Sequence, residues 1–189
     1  MSQAGSKQEI EVKLRVPDAA AAQRLVLDAG FAVSVPRVFE ANTVYDTPDN
    51  SLSTRGMLLR LRRAGETYTL TVKGQALGGK HKAREEDEVT VSDYDTSQVI
   101  LSKLGYLPMF RYEKYRTEFS STTNPGTITL DETPIGAFLE LEGTPEWIDS
   151  TARVLSFTEA QYIVDSYGKL YLAHCREAGK VPTNMVFES

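Results

Sequence analysis

Cysteine is all but absent from this chain: Cys175 stands alone, so no intramolecular disulfide can staple the fold. No apolar run approaches the roughly 20 residues of a membrane span, and the opening Met-Ser-Gln-Ala-Gly-Ser-Lys-Gln lacks the apolar core of a secretory signal. A cytoplasmic location and no membrane partner are the expectation. Basic residues are not in excess either. Lys and Arg number 21 against 26 Asp and Glu, a formal charge of −5, which argues against a broad surface for DNA or other duplex nucleic acid. Internal repeats and low-complexity blocks are also missing, so a single domain over 1–189 is expected, with its core at about 8–176 and a frayed tail at 177–189.

What the 189 residues do contain is ordinary globular composition, 41% hydrophobic and 25% charged, and a succession of short alternating runs. Glu9-Ile10-Glu11-Val12-Lys13-Leu14-Arg15-Val16 sets charged against apolar residues at period two, the pattern of a strand with unlike faces. Similar runs at 38–46, 58–63, 67–73, 83–91, 111–120, 127–132 and 136–143 bring the expected strands to eight. A helix is predicted over 19–29, capped by Asp18 and stopped by Gly30, and another over 96–104 before Gly105. Residues 145–176 have helical spacing, with Ile163, Tyr167, Leu170 and Tyr171 on one stripe.

Parity places Glu9, Glu11 and Lys13 on one side of the first strand and Ile10, Val12 and Leu14 on the other. Arg60 with Arg62, Lys73 with Thr71, Arg84 with Glu86 and Glu88, Lys114 with Arg116, Asp131 with Thr129, and Glu140 with Glu142 repeat the separation. One such face is commonly just wet. Seven of them across eight expected strands, rich in Arg and Glu rather than Ser and Thr, predict a closed barrel whose charged side lines a hydrated channel, with helices covering the apolar outside. The expected class is α+β, an eight-stranded antiparallel barrel.

These residues carry a resemblance. Glu9-x-Glu11-x-Lys13, Tyr45-Asp46-Thr47, Arg60-x-Arg62, Thr71-Val72-Lys73-Gly74, Arg84-x-Glu86-x-Glu88, Lys114-x-Arg116, Leu130-Asp131 and Glu140-x-Glu142 occur in an order that resembles the CYTH superfamily, the triphosphate tunnel metalloenzymes. The resemblance implies a tunnel for a small-molecule triphosphate. Lys13, Arg60, Arg62, Lys73, Arg84, Lys114 and Arg116 would contact phosphate. Glu9, Glu11, Asp131, Glu140 and Glu142 would ligate Mg²⁺ or Mn²⁺, and Glu86 and Glu88 would serve metal or water. Glu9, Glu11, Lys13 and Lys73 would form the catalytic centre, and a homodimer is among the allowed assemblies. Three functions are open: hydrolysis of inorganic, nucleoside or thiamine triphosphate; a class IV adenylyl cyclase; or a polyphosphate- or nucleotide-binding module without chemistry.

Other features read as decoys. Gly74 to Lys80 has the spacing of a P-loop, but His81 replaces the hydroxyl residue and a strand follows instead of a helix, so a mobile mouth loop with an exposed His81 is expected. His174 and Cys175 are helical neighbours that point apart. Tyr112, Tyr115 and Phe119 are expected to pack beneath helices, and Trp147, at a helix start, is expected to pack rather than bind.

Overall fold

The computed structural model describes residues 7–122 and 124–188; the polar start at 1–6 lies outside them. Eight strands are β1 (Lys7–Val16), β2 (Ala32–Asp46), β3 (Leu58–Ala64), β4 (Thr67–Lys73), β5 (Lys82–Val91), β6 (Leu107–Ser121), β7 (Asn124–Thr133) and β8 (Gly136–Glu142). They close into one antiparallel barrel in the order β1-β5-β4-β3-β2-β6-β7-β8. Among the described residues the helices are α1 (Ala19–Asp28), α2 (Ser51–Thr54), α3 (Tyr94–Lys103), α4 (Pro145–Val154) and α5 (Tyr167–Glu177). β2 and β6 are longer than their alternating cores suggested, and both carry register shifts that let them bend around the barrel.

Local chemistry sets the helix starts. The Asp18 side chain accepts the Ala21 amide at 2.7 Å to begin α1, and Asp93 accepts Thr96 at 2.6 Å to begin α3. The short α2, which the sequence patterns did not announce, hangs on Asp46. Its carboxylate accepts backbone N–H groups from Thr47, Leu52 and Ser53 at 2.7–2.9 Å.

Val12, Leu14, Ile128, Leu130, Leu139 and Leu141 turn outward and pack with Val26 of α1, Ile148 and Ala152 of α4, and Leu155 just after it, into the main core. Trp147 joins them by lying flat over Gly126 and Gly143, where an added Cβ would meet its ring at 2.4 and 2.7 Å. A second core of Tyr45, Leu52, Leu59, Leu61 and Leu101 lies under α2 and α3. The alternate residues of the strands face inward.

The carboxyl third departs from expectation. The helical run breaks after α4, where Ser156 takes φ 65°, and a 3-10 turn at Glu159–Gln161 intervenes before α5. Ile163, read as part of a helical stripe, exchanges two backbone hydrogen bonds of 2.9 Å with Lys13, beyond the point where β5 pairs β1. The expected frayed tail is docked. Met185 is fully buried, accepts from the Glu113 amide at 2.9 Å and donates to the Arg111 carbonyl at 3.0 Å, where β7 no longer covers β6. Unpaired strand edges supply the reason: Ile163 and Met185 satisfy backbone groups that β5 and β7 leave open.

A charged candidate active site inside the barrel

The inward faces enclose a cavity of about 960 Å³. Every candidate site residue lines it except Asp131. On one wall Lys73 of β4 sits 2.8 Å from both Glu9 and Glu86, and Arg84 Nε donates to Glu9 at 3.2 Å. Lys13 lies between Glu11, at 3.0 Å, and Glu140, at 3.1 Å. Across the barrel Arg60 donates to Thr71 at 3.1 Å and to the Tyr112 hydroxyl at 3.3 Å; Thr71 donates in turn to Glu88 at 2.7 Å. Arg116 bridges Asp131 and Glu140, and Glu142 lines the same cavity.

Asp131 stands apart from the other expected ligands. It is wholly buried behind the cavity wall, holding Lys114 at 2.8 Å, both ends of the Arg116 fork at 2.6–2.7 Å and the Tyr167 hydroxyl at 2.7 Å. With its oxygens filled by four donors, it orients two cations rather than presenting itself to the cavity.

Four contributors escaped the sequence reading. Lys82 lies one residue before the expected strand yet shares parity with Arg84 and Glu86; it donates to Glu11 at 2.7 Å. Tyr112, expected under a helix, is on the parity of Lys114 and so faces inward. Glu40 shares its face with Val38, Asn42 and Val44, a mixed series with no clean alternation, and pairs with Arg62 at 3.3 Å and Lys114 at 3.5 Å. Tyr167 arrives from α5 by a long-range crossing that no local pattern announces. His81 is not exposed either: its Nε2 is 2.8 Å from Asp149, which also receives Lys80 at 2.8 Å, so the mouth loop is tethered to α4.

Burial opposes ionisation of Glu9, Glu11, Glu40 and Glu140, and the neighbouring cations overcome it. Glu11 and Glu140 are held well below the usual carboxylate range by Lys13 and by Lys82 or Arg116, and Glu40 is held at about 2 against its burial by Lys114 and Arg62. Glu86 shifts upward instead, because burial and the Glu9 charge outweigh Lys73. Folded values below the unfolded ones mean that this stabilisation is complete above the ordinary carboxylate range, about pH 5, and is lost as pH falls toward 2. The melting temperature is expected to stay level from about pH 6 to 8 and to fall steeply below about pH 4 in acid titration followed by circular dichroism; a level midpoint down to about pH 3 would contradict the pairing.

The donor set suits a hard divalent cation. Glu9, Glu11, Glu140 and Glu142 bring carboxylate oxygens from the adjacent strands β1 and β8, the ligand chemistry of Mg²⁺ or Mn²⁺. Among the described residues no three Asp, Glu, His or Cys side chains are already gathered as ligands. The geometry gives the reason: Glu9, Glu11 and Glu140 are turned toward Lys73, Lys13, Lys82 and Arg116.

Comparisons agree with this architecture. A sequence model of the CYTH domain matches residues 7–158. A Methanocaldococcus jannaschii protein provisionally named an adenylate cyclase is 26% identical over 147 residues, 78% of this chain and 83% of its own. An X-ray structure from Vibrio parahaemolyticus, also provisionally named an adenylate cyclase, superposes with a TM-score of 0.76 at 25% identity, covering 87% of this chain and 98% of the other. A Hippeastrum protein provisionally named an adenylyl cyclase and described as revealing a dominant triphosphatase activity shares the fold at TM-score 0.67 and 18% identity, covering 92% and 97% of the two chains.

Proposed function

The chain belongs to the CYTH domain family, and from that premise we propose that it is a divalent-metal-dependent hydrolase of triphosphate substrates. One observation carries the proposal: Lys13, Arg60, Arg62, Lys73, Lys82, Arg84, Lys114 and Arg116 converge on a single cavity with carboxylates interleaved among them. A simple anion trap gains little from acids that repel its ligand, whereas a cavity for a metal-bound polyanion uses both signs.

Cleaving a phosphoanhydride asks the protein chiefly to position the chain of phosphates and to neutralise charge that spreads over the transferring group. Arg60, Arg62, Arg84 and Arg116 provide forked donors, and Lys13, Lys73 and Lys82 provide compact charges. Binding exchanges partners: as phosphate oxygens take over Lys73 and Lys13, the carboxylates of Glu9, Glu11 and Glu140 are freed. Those three, with Glu142, would hold Mg²⁺ or Mn²⁺, which supplies Lewis-acid stabilisation and acidifies water. Asp131 and Tyr167 keep Lys114 and Arg116 aimed inward throughout.

The names of the relatives favour a second reading, an adenylyl cyclase in which the ribose 3′-hydroxyl of ATP attacks the α-phosphate and pyrophosphate leaves. Incubation with inorganic triphosphate, ATP or thiamine triphosphate and Mg²⁺ or Mn²⁺ separates the two. Orthophosphate with a diphosphate product supports hydrolysis. Cyclic AMP with pyrophosphate overturns it in favour of the cyclase, and tight binding without any product leaves a binding module. Arg60→Ala is expected to lower kcat/KM about 100-fold, by analogy with loss of one preorganised donor; an unaltered kcat/KM would remove Arg60 from the site.

A further inference from the structure

The loop from Gly74 to His81, whose spacing imitates a P-loop, sends neither Lys80 nor His81 into the cavity. Both turn to Asp149 of α4. Its Oδ2 accepts from Lys80 at 2.8 Å, while its Oδ1 meets His81 Nε2 at 2.8 Å and accepts the Tyr162 hydroxyl at 3.1 Å. Lys80 also donates to Glu159 at 2.8 Å, and the His81 and Tyr162 rings lie 5.9 Å apart. Burial resists the charge of Asp149, but hydrogen bonds from Lys80, His81 and Tyr162 outweigh it and hold the group at about 2. One ionised carboxylate thus joins the loop before β5 to the segment that follows the 3-10 turn.

The cluster stands at a seam. β1 and β5 pair only as far as Glu11 and Lys82, while β1 runs on to Val16. Beyond that rung, among the described residues, the backbone of β1 on that side is met by Ile163, through its two hydrogen bonds with Lys13. Both borders of the seam lead straight to the cluster: Lys82 follows His81 in the chain, and Ile163, the backbone partner of Lys13, follows Tyr162. The two ammonium groups meet on one oxygen, Glu11 Oε1, at 2.7 Å from Lys82 and 3.0 Å from Lys13. Like charges gathered so closely push the two borders apart. Among the described residues no backbone hydrogen bond joins the loop to the Tyr162 segment, so the side-chain bonds to Asp149 supply the tie.

We propose that Asp149, although outside the cavity, is a positioning residue for the triphosphate chemistry, fixing the spacing of Lys82 and Lys13 so that both meet the phosphate chain when Glu11 turns from them. The inference rests on the triphosphate reading of the chamber. Asp149 acts through Lys82, which separates it from a residue that merely stabilises the fold. The test is kcat/KM for the best cleaved of inorganic triphosphate, ATP and thiamine triphosphate, in wild type, Asp149→Ala, Lys82→Ala and the double variant, beside thermal unfolding of each. Lys82→Ala is expected to keep measurable turnover, because Lys13, Lys73 and Arg84 still line the cavity. Asp149→Ala alone is expected to lower kcat/KM about 10- to 100-fold, as a misplaced contact does. With Lys82 already replaced, the same change is expected to matter less than about twofold, because no spacing is left to set. Asp149→Asn, which keeps the size and one acceptor, takes the place of alanine if alanine prevents folding, with a smaller loss and the same dependence on Lys82. Equal losses with and without Lys82, or a lowered melting temperature with kcat/KM unchanged, would overturn the inference while the chamber reading stands. A wild type that cleaves none of the three substrates would overturn both.

Discussion

Replacing Glu11 by alanine is expected to lower metal-dependent turnover by about 100- to 1000-fold, while the melting temperature moves by only a few degrees. Glu11 faces the cavity, where it holds Lys13 at 3.0 Å and Lys82 at 2.7 Å. After its removal Lys13 keeps Glu140 at 3.1 Å, and Lys82 is left beside a hydrated space in which water can replace the missing acceptor. Stability is therefore retained, and the loss falls on a carboxylate that would ligate the metal. The check is steady-state phosphate release in saturating Mg²⁺ or Mn²⁺ beside thermal unfolding. Undiminished turnover rejects Glu11 as a ligand, and a collapsed fold with full activity in the surviving fraction would assign it to structure alone.

Asp131→Ala is expected to do the opposite, destabilising the protein by about 3–5 kcal/mol, the usual consequence of stripping one partner from a buried ion cluster. For a chain of this size that corresponds to a fall in melting temperature on the order of 10 °C. Asp131 is fully buried and receives Lys114, Arg116 and the Tyr167 hydroxyl. Its loss leaves Arg116 with Glu140 alone, Lys114 with Glu40 at 3.5 Å, and the Tyr167 hydroxyl without the acceptor it had at 2.7 Å. Asp131→Asn keeps the shape and part of the accepting capacity, and is expected to lie between wild type and alanine. Equal melting temperatures for Glu11→Ala and Asp131→Ala would reject the distinction between a wet carboxylate and a dry one.

That distinction also marks what the sequence could disclose. Period-two alternation told inner from outer residues correctly on β1, β3, β4, β5, β7 and β8, because a strand's side chains must alternate whatever the fold around it. Closure followed from the number of such faces. Depth did not: Asp131 has the same parity as the cavity-facing Glu140, and only the way Lys114, Arg116 and Tyr167 fold over it determines that it is sealed. Glu40 was hidden for a related reason, since Val38, Asn42 and Val44 around it blur the alternation on a strand whose register shifts as it bends. Tyr167, Ile163 and Met185 were beyond reach because each meets its partner across a separation that leaves no periodic trace. Ile163 and Met185 have an extended-strand role in segments read as helix and as tail.

The pairings of Ile163 with Lys13 and Met185 with Tyr112 have a consequence for the chain as a polymer. A protein shortened to the family-matched span would leave two backbone borders bare, at the end of β1 and the start of β6, and bare borders recruit strands from other molecules. The residues from 159 onward therefore guard against self-association, and a shortened chain would be prone to stick to its own kind before any question of chemistry arose.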